Sequence, residues 1–127
     1  MSETHTRVLL IDDSDDVRNA LRLGLELFDY EVEDCATGRE GLKRFSLSKP
    51  DVTIIDLRLP DIGGFEVAKK IRELSSDSLL FLLTGVDGNE ARENAKAAGF
   101  NRFIVKPIKF SELTSLIEES MNQRAAQ

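Results

Sequence analysis

A lone cysteine, Cys35, leaves the chain unable to form an intrachain disulfide. No apolar run approaches the roughly 20 residues that a membrane-spanning helix needs. The stretch Met1–Arg7 is polar and lacks the apolar core of a secretory signal. These absences fit a cytoplasmic chain with no membrane association. Positive charge is also in deficit: 17 Lys and Arg face 23 Asp and Glu, for a formal net charge of −6. Such a chain repels phosphate backbones, so direct nucleic-acid binding is not expected. There is no internal repeat, linker or low-complexity segment, and 127 residues suit one compact domain.

Hydrophobic residues at 41% and charged residues at 31% give an ordinary globular balance. Their pattern alternates between two periods. Arg7–Ile11 is a short apolar run that reads as a buried strand. Ser14 is placed to cap a helix, with Asp15 and Asp16 in the first turn, where the helix dipole favours negative charge. Val17, Ala20, Leu21, Gly24, Leu25 and Phe28 then recur at helical spacing. Tyr30–Ala36 predicts a second strand, and Thr37-Gly38-Arg39-Glu40 a capping box opening a second helix that Pro50 terminates. Asp51–Asp56 is the third strand, followed by a loop marked by Pro60, Gly63 and Gly64. Phe65, Ala68, Ile71 and Leu74 predict the core face of a third helix. Leu79–Thr84 is the most apolar strand and is expected at the centre of the sheet. A fourth helix, capped from within Asp87–Glu90 and lined by Ala91, Ala95 and Ala98, should end at a left-handed Gly99. Arg102–Val105 is the fifth strand, and Phe110, Leu113, Leu116, Ile117 and Met121 form the stripe of a last helix. Strands that are apolar on both faces imply a parallel sheet covered on both sides by helices, hence a doubly wound α/β domain. Its bounds are set at 7–122, between an N-terminal tail at 1–6 and a C-terminal tail at 123–127 that should fray.

In such sheets ligands bind beyond the carboxyl ends of the strands. Strand one ends in Asp12-Asp13, strand three in Asp56, strand four in Thr84, and strand five runs into Lys106. With strand order 2-1-3-4-5, strands one and three are neighbours and the three carboxylates converge. At about 5 Å and an effective dielectric near 20, each carboxylate pair costs about 3 kcal/mol. A proton or cation must relieve this. Lys106 supplies one positive charge and a divalent ion would supply two, which neutralises the site. An all-oxygen site with open positions suits Mg2+, which binds through few carboxylates plus a phosphate.

Taken in order, Ile11-Asp12-Asp13, Asp56 with Pro60 and Gly64, Leu83-Thr84-Gly85 and Val105-Lys106-Pro107 resemble the two-component response-regulator receiver family. The resemblance runs from about Arg7 to Glu119. It implies a flavodoxin-like fold, a five-stranded parallel (βα)5 sheet of order 2-1-3-4-5. It also implies that Asp56 is the phosphoacceptor, taking its phosphoryl group from a sensor histidine kinase or a histidine phosphotransfer protein. Asp13, Asp56 and the backbone carbonyl of Arg58 would bind Mg2+ or Mn2+, with Asp12 acting through water. Thr84 and Lys106 would bind phosphoryl oxygens, Thr84 and Phe103 would form the switch, and the Lys106–Pro107 peptide would be cis. Catalysis would extend only to the domain's own phosphorylation and dephosphorylation. Leu83-Thr84-Gly85 with Ala98-Gly99-Phe100 resembles receivers attached to hybrid sensor kinases. The sequence is expected to be a stand-alone regulator or a piece of a longer protein, with a separate target or a fused effector.

Plainer readings exist for each residue alone. Asp12-Asp13 could cap a helix, Asp56 could be a solvated strand end, Thr84 a common strand terminus, Lys106 a surface lysine and Phe103 a core aromatic. Together they require several coincidences. Three rival functions are weaker still. A flavodoxin-like cofactor binder wants a phosphate cradle of Ser, Thr and Gly after strand one, where this chain has carboxylates. A metal-dependent phosphohydrolase wants an acid two residues beyond its nucleophile, where this chain has Arg58. A phosphate-independent pseudo-receiver has no need of the full Asp, Thr and Lys set. Cys35 is expected to be a small buried residue, and His5 is given no role.

Overall fold

The computed structural model describes residues 5–126. Residues 1–4 of the expected N-terminal tail and Gln127 of the expected C-terminal tail lie outside them. Strands β1 (Arg7–Ile11), β2 (Glu31–Cys35), β3 (Val52–Asp56), β4 (Leu79–Thr84) and β5 (Arg102–Val105) alternate with helices. These are α1 (Asp15–Leu27), α2 (Gly38–Ser48), α3 (Gly64–Leu74), α4 (Asn89–Ala98) and α5 (Phe110–Ala125). All strand pairs are parallel, in the order β2-β1-β3-β4-β5. Among the described residues no helix is long and apolar enough to cross a membrane.

Side-chain alternation along the strands divides the interior into two layers. Leu9, Ile11, Ile55, Leu80 and Leu82 face Phe45 of α2, Val67, Ala68 and Ile71 of α3, and Ala95 and Ala98 of α4. Val8, Leu10, Val52, Ile54, Phe81 and Leu83 face Leu25 of α1 and Leu113 and Ile117 of α5. Every residue of β3 and β4 is buried, in keeping with strands that are apolar apart from Thr53, Asp56 and Thr84. Helices α1 and α5 thus cover one face, and α2, α3 and α4 the other.

Local signals set most of the boundaries. The Ser14 hydroxyl accepts from the Val17 N–H at 3.3 Å and the Thr37 hydroxyl from the Glu40 N–H at 3.1 Å. The reciprocal half of the expected capping box is replaced by an ion pair between Glu40 and Arg44 at 3.1 Å. Lys49, left-handed at φ 49°, closes α2 just before Pro50. Gly99 ends α4 at φ 103°, and a Cβ there would come within 2.7 Å of the Arg72 side chain.

Helix α4 is capped within the expected stretch, by Gly88 and without a side-chain bond, since Asp87 accepts from the Gly88 N–H and pairs with Arg92. Three expectations are corrected. Phe28 is 60% exposed and packs on Phe110 with ring centroids 5.3 Å apart, outside the interior. Ala20 and Leu74 are likewise exposed. Helix α5 continues to Ala125, through residues assigned to a fraying tail. Its last turn is fastened by Arg124, whose Nη2 lies 2.9 Å from Oδ1 of Asp51, the residue before β3.

The end of the sheet away from the acidic strand termini is held by Arg72. Its guanidinium donates to the carbonyls of Gly99 at 2.8 Å and Ser78 at 2.6 Å, and to Oδ1 of Asn101 at 2.8 Å. One side chain therefore satisfies carbonyls at the end of α4 and before β4. Arg72→Ala strands these acceptors and is expected to lower stability by about 3 kcal/mol. Urea unfolding should show a reduced midpoint with an unchanged slope.

Candidate functional site

The parallel register dictates what meets at the carboxyl edge. Ile11 is opposite Ile55, so the next residues, Asp12 and Asp56, leave adjacent strands side by side. Asp56 in turn is opposite Leu83, and Thr84 opposite Val105, which brings Thr84 and Lys106 to the same edge. The Lys106 N–H donates to the Thr84 carbonyl at 2.7 Å. The Lys106–Pro107 peptide is cis.

Asp12, Asp13 and Asp56 each direct a carboxylate oxygen into one cluster, with these atoms all within 4.8 Å of one another. Asp12 and Asp56 are buried and Asp13 is exposed. Lys106 reaches over both buried members, its Nζ 3.4 Å from Oδ2 of Asp12 and 3.6 Å from Oδ2 of Asp56. Oδ1 of Asp12 accepts from the Ser14 N–H at 2.8 Å. Its Oδ2 is buried with no hydrogen-bond partner. A hollow lined by Asp13, Asp56, Arg58, Thr84 and Lys106 opens beside the cluster, with Gly85 and Val86 completing its wall. Gly64, at the start of α3, lies so close to the Asp56 carbonyl that a Cβ would collide with it.

Three carboxylates against one ammonium leave two negative charges uncompensated. Burial foremost, and then the Asp12 carboxylate, hold the Asp56 acid above its ordinary value, while Lys106 and the Arg58 N–H pull it back. An orphaned buried oxygen in an all-oxygen donor set fits a hard divalent cation.

Thr84 is 2% exposed, and its hydroxyl accepts from the Val86 N–H at 3.1 Å, leaving its own hydrogen free to donate. Phe103 is half-buried against the α2–α3–α4 layer. The Arg92 guanidinium sits 4.6 Å from the centre of its ring, and Arg92 also pairs with Asp87 at 2.9 Å. Sequence reasoning missed Arg92. The i,i+5 spacing to Asp87 gave no helical pairing signal, and contact with a strand is not visible in local sequence. Cys35 is buried outside the cluster, and burial pushes its thiol up to about 12.

A parallel sheet of this order, with an acidic cluster and a lysine at its carboxyl edge, defines a phosphoacceptor module of the flavodoxin-like class. The chain belongs to the response regulator receiver domain family, whose model matches residues 8–118. It is 29% identical over 120 residues to the transcriptional regulatory protein PrrA of Mycobacterium leprae, covering 94% of this chain and 52% of that protein. It is 33% identical over 107 residues to the response regulator MprA of Mycolicibacterium vanbaalenii, covering 84% of this chain and 46% of that protein. The chain thus spans about half the length of these curated relatives. Among solved structures, the chemotaxis protein CheY4 of Vibrio cholerae superposes with a TM-score of 0.88 at 31% identity, over 92% of this chain and 99% of that one. A CheY-like receiver domain from Methanospirillum hungatei gives 0.92 at 28% identity, over 97% and 98%. The protein is therefore a receiver domain of two-component signalling.

The raised Asp56 acid has a consequence for stability. Above its ordinary value of 3.8, the unfolded chain loses this proton before the folded one does. Folding then carries a charge penalty that grows until the pH passes the raised value, and that is absent in acid. In metal-free buffer, Asp56→Asn is expected to be more stable than the wild type at neutral pH. The difference should vanish below pH 3.8. Urea midpoints at the two pH values check this.

Proposed function

We propose that Asp56 is the phosphoacceptor and that its donor is a phosphohistidine on a sensor histidine kinase or a histidine phosphotransfer protein. The convergence of three carboxylates and Lys106 at one strand edge carries this reading. A carboxylate oxygen of Asp56 attacks phosphorus as the phosphorus–nitrogen bond to the imidazole breaks, giving an acyl phosphate. Asp13, Asp56 and the carbonyl of Arg58 are the residues to hold Mg2+ or Mn2+, with Asp12 contributing through water. When bound, the ion offsets the negative charge of the carboxylates and of the incoming phosphoryl oxygens.

The chain's own groups do the rest. The Lys106 ammonium, already drawn to Asp12 and Asp56, can turn to a phosphoryl oxygen once Asp56 carries the phosphoryl group. Thr84 donates its free hydroxyl hydrogen to another. The backbone of Gly64, packed on the Asp56 carbonyl, fixes the nucleophile from behind. Catalysis consists of positioning and charge compensation, and it extends to the domain's own phosphorylation and dephosphorylation.

Phosphorylation switches the domain through Thr84 and Phe103. As Thr84 moves toward the phosphoryl group, space opens that Phe103 can enter from its place beneath Arg92. Helix α4 buries only Ala95 and Ala98, so little apolar area fixes it, and an existing equilibrium can shift there. The effector, fused or separate, would read the surface of α4, β5 and α5. The setting is cytoplasmic, with no nucleic acid or membrane bound by this chain itself.

Incubation with a small phosphodonor and Mg2+ is expected to add one hydroxylamine-sensitive phosphoryl group to the wild type and none to Asp56→Asn. Excess EDTA should suppress it. Equal labelling of both proteins, or full labelling in EDTA, would refute the assignment. For the switch, amide exchange with and without beryllofluoride should change in α4 and β5. Changes confined to α1 and α2 would rule the route out.

A further inference from the structure

An arginine side chain helps to tie the turn joining β1 to α1, which carries Asp12 and Asp13, to β2 and α1. Arg18 lies in the first turns of α1, with its side chain only 15% exposed. Its Nη1 donates to the backbone carbonyl of Asp12 at 2.8 Å. Its Nε donates to Asp34 of β2 at 3.0 Å, and its Nη2 to Asp15 at 2.7 Å. Asp34 is held in turn by Arg22.

This arrangement accounts for every polar atom of Asp12 but one. Its N–H donates to the Cys35 carbonyl at 3.1 Å, its carbonyl accepts from Arg18, and its Oδ1 accepts from the Ser14 N–H. The remaining Oδ2 is the buried, unpartnered atom that faces Lys106. We propose that Arg18 is a positioning residue for the acidic pocket. It locks the Asp12 backbone to β2 and α1, and so holds Asp12 and Asp13 against the repulsion that would otherwise separate them from Asp56. The inference rests on the reading of these three carboxylates as the Mg2+ pocket. Groups that orient ligands in this way commonly change metal affinity by roughly 10-fold or more when removed.

Charge and position make opposite demands here. A guanidinium near three carboxylates disfavours a cation, so a purely electrostatic role would make Arg18→Ala bind Mg2+ more tightly. Moreover, Asp15 and Asp34 already compensate that charge. A positioning role predicts weaker binding.

The test compares wild type, Arg18→Ala, Arg18→Lys and Asp13→Asn by Mg2+ titration, and follows amide exchange in metal-free protein. Arg18→Ala should bind Mg2+ roughly 10-fold more weakly. Its Asp12 and Ser14 amides should exchange faster, while those of Leu9 and Ile54 stay protected. Arg18→Lys keeps the charge but not the three-way fork, and should fall between. Wild-type affinity and exchange in a folded Arg18→Ala, or tighter binding, would overturn the proposal. Should Arg18→Ala fail to fold, Arg18→Lys decides: wild-type affinity and exchange there would overturn it equally. A wild type that binds no Mg2+, or an Asp13→Asn that binds it as tightly, would remove the pocket reading and this inference with it. Normal binding in the wild type, weakened in Asp13→Asn but unchanged in the Arg18 variants, would remove this inference alone.

Discussion

The repulsion among Asp12, Asp13 and Asp56 is the constraint to which the rest of the domain answers. Their oxygens lie within 4.8 Å of one another, two of the residues are buried, and only Lys106 among the described residues pairs with them. Isolated in a flexible loop, three such groups would move apart. Here they are fixed by hydrogen bonds of adjacent parallel strands, by the buried core beneath β1 and β3, and by close backbone packing at Gly64. The apolar interior thus supplies the rigidity that keeps an unfavourable charge arrangement intact. That arrangement is also what makes the site receptive: a divalent cation would offset charge that the free site leaves uncompensated.

The two ends of the sheet are built on contrasting principles. At the carboxyl edge, polar groups are left incompletely partnered, as with Asp12 Oδ2 and the Thr84 hydroxyl hydrogen. At the opposite edge, Arg72 and Arg124 draw carbonyls and a carboxylate into multiple hydrogen bonds. One end is thereby satisfied, and the other is receptive.

Much of this was legible in the sequence because the signals were local. Short apolar runs ending in Asp12-Asp13, Asp56 and Thr84 located both the strands and the site. Ser14, Thr37, Pro50 and Gly99 marked helix ends by mechanisms that act within a few residues. What escaped was non-local. Phe28 fits the periodicity of a core face, yet the interior is filled by Leu25 and Phe28 stacks on Phe110 instead. Helix α5 outlasted its expected end because Arg124 finds Asp51, 73 positions away. Arg18 carried no signal of its own in the sequence, and its bond to the Asp12 carbonyl emerges only once β1, β2 and α1 are assembled. The α4 cap at Gly88 lacks a side-chain bond for a related reason, since Asp87 pairs with Arg92.

The stacking of Arg92 on Phe103 has a further meaning. Arg92 and Asp87 are each about half exposed, with side-chain exposures of 51% and 52%. Their attraction is therefore open to the solvent and to its ions, with a screening length of about 8 Å at physiological salt. The group that keeps Phe103 covered is thus itself held by a weak, solvent-tuned bond. Ionic strength thus becomes a thermodynamic input to how firmly Arg92 is held over the Phe103 ring.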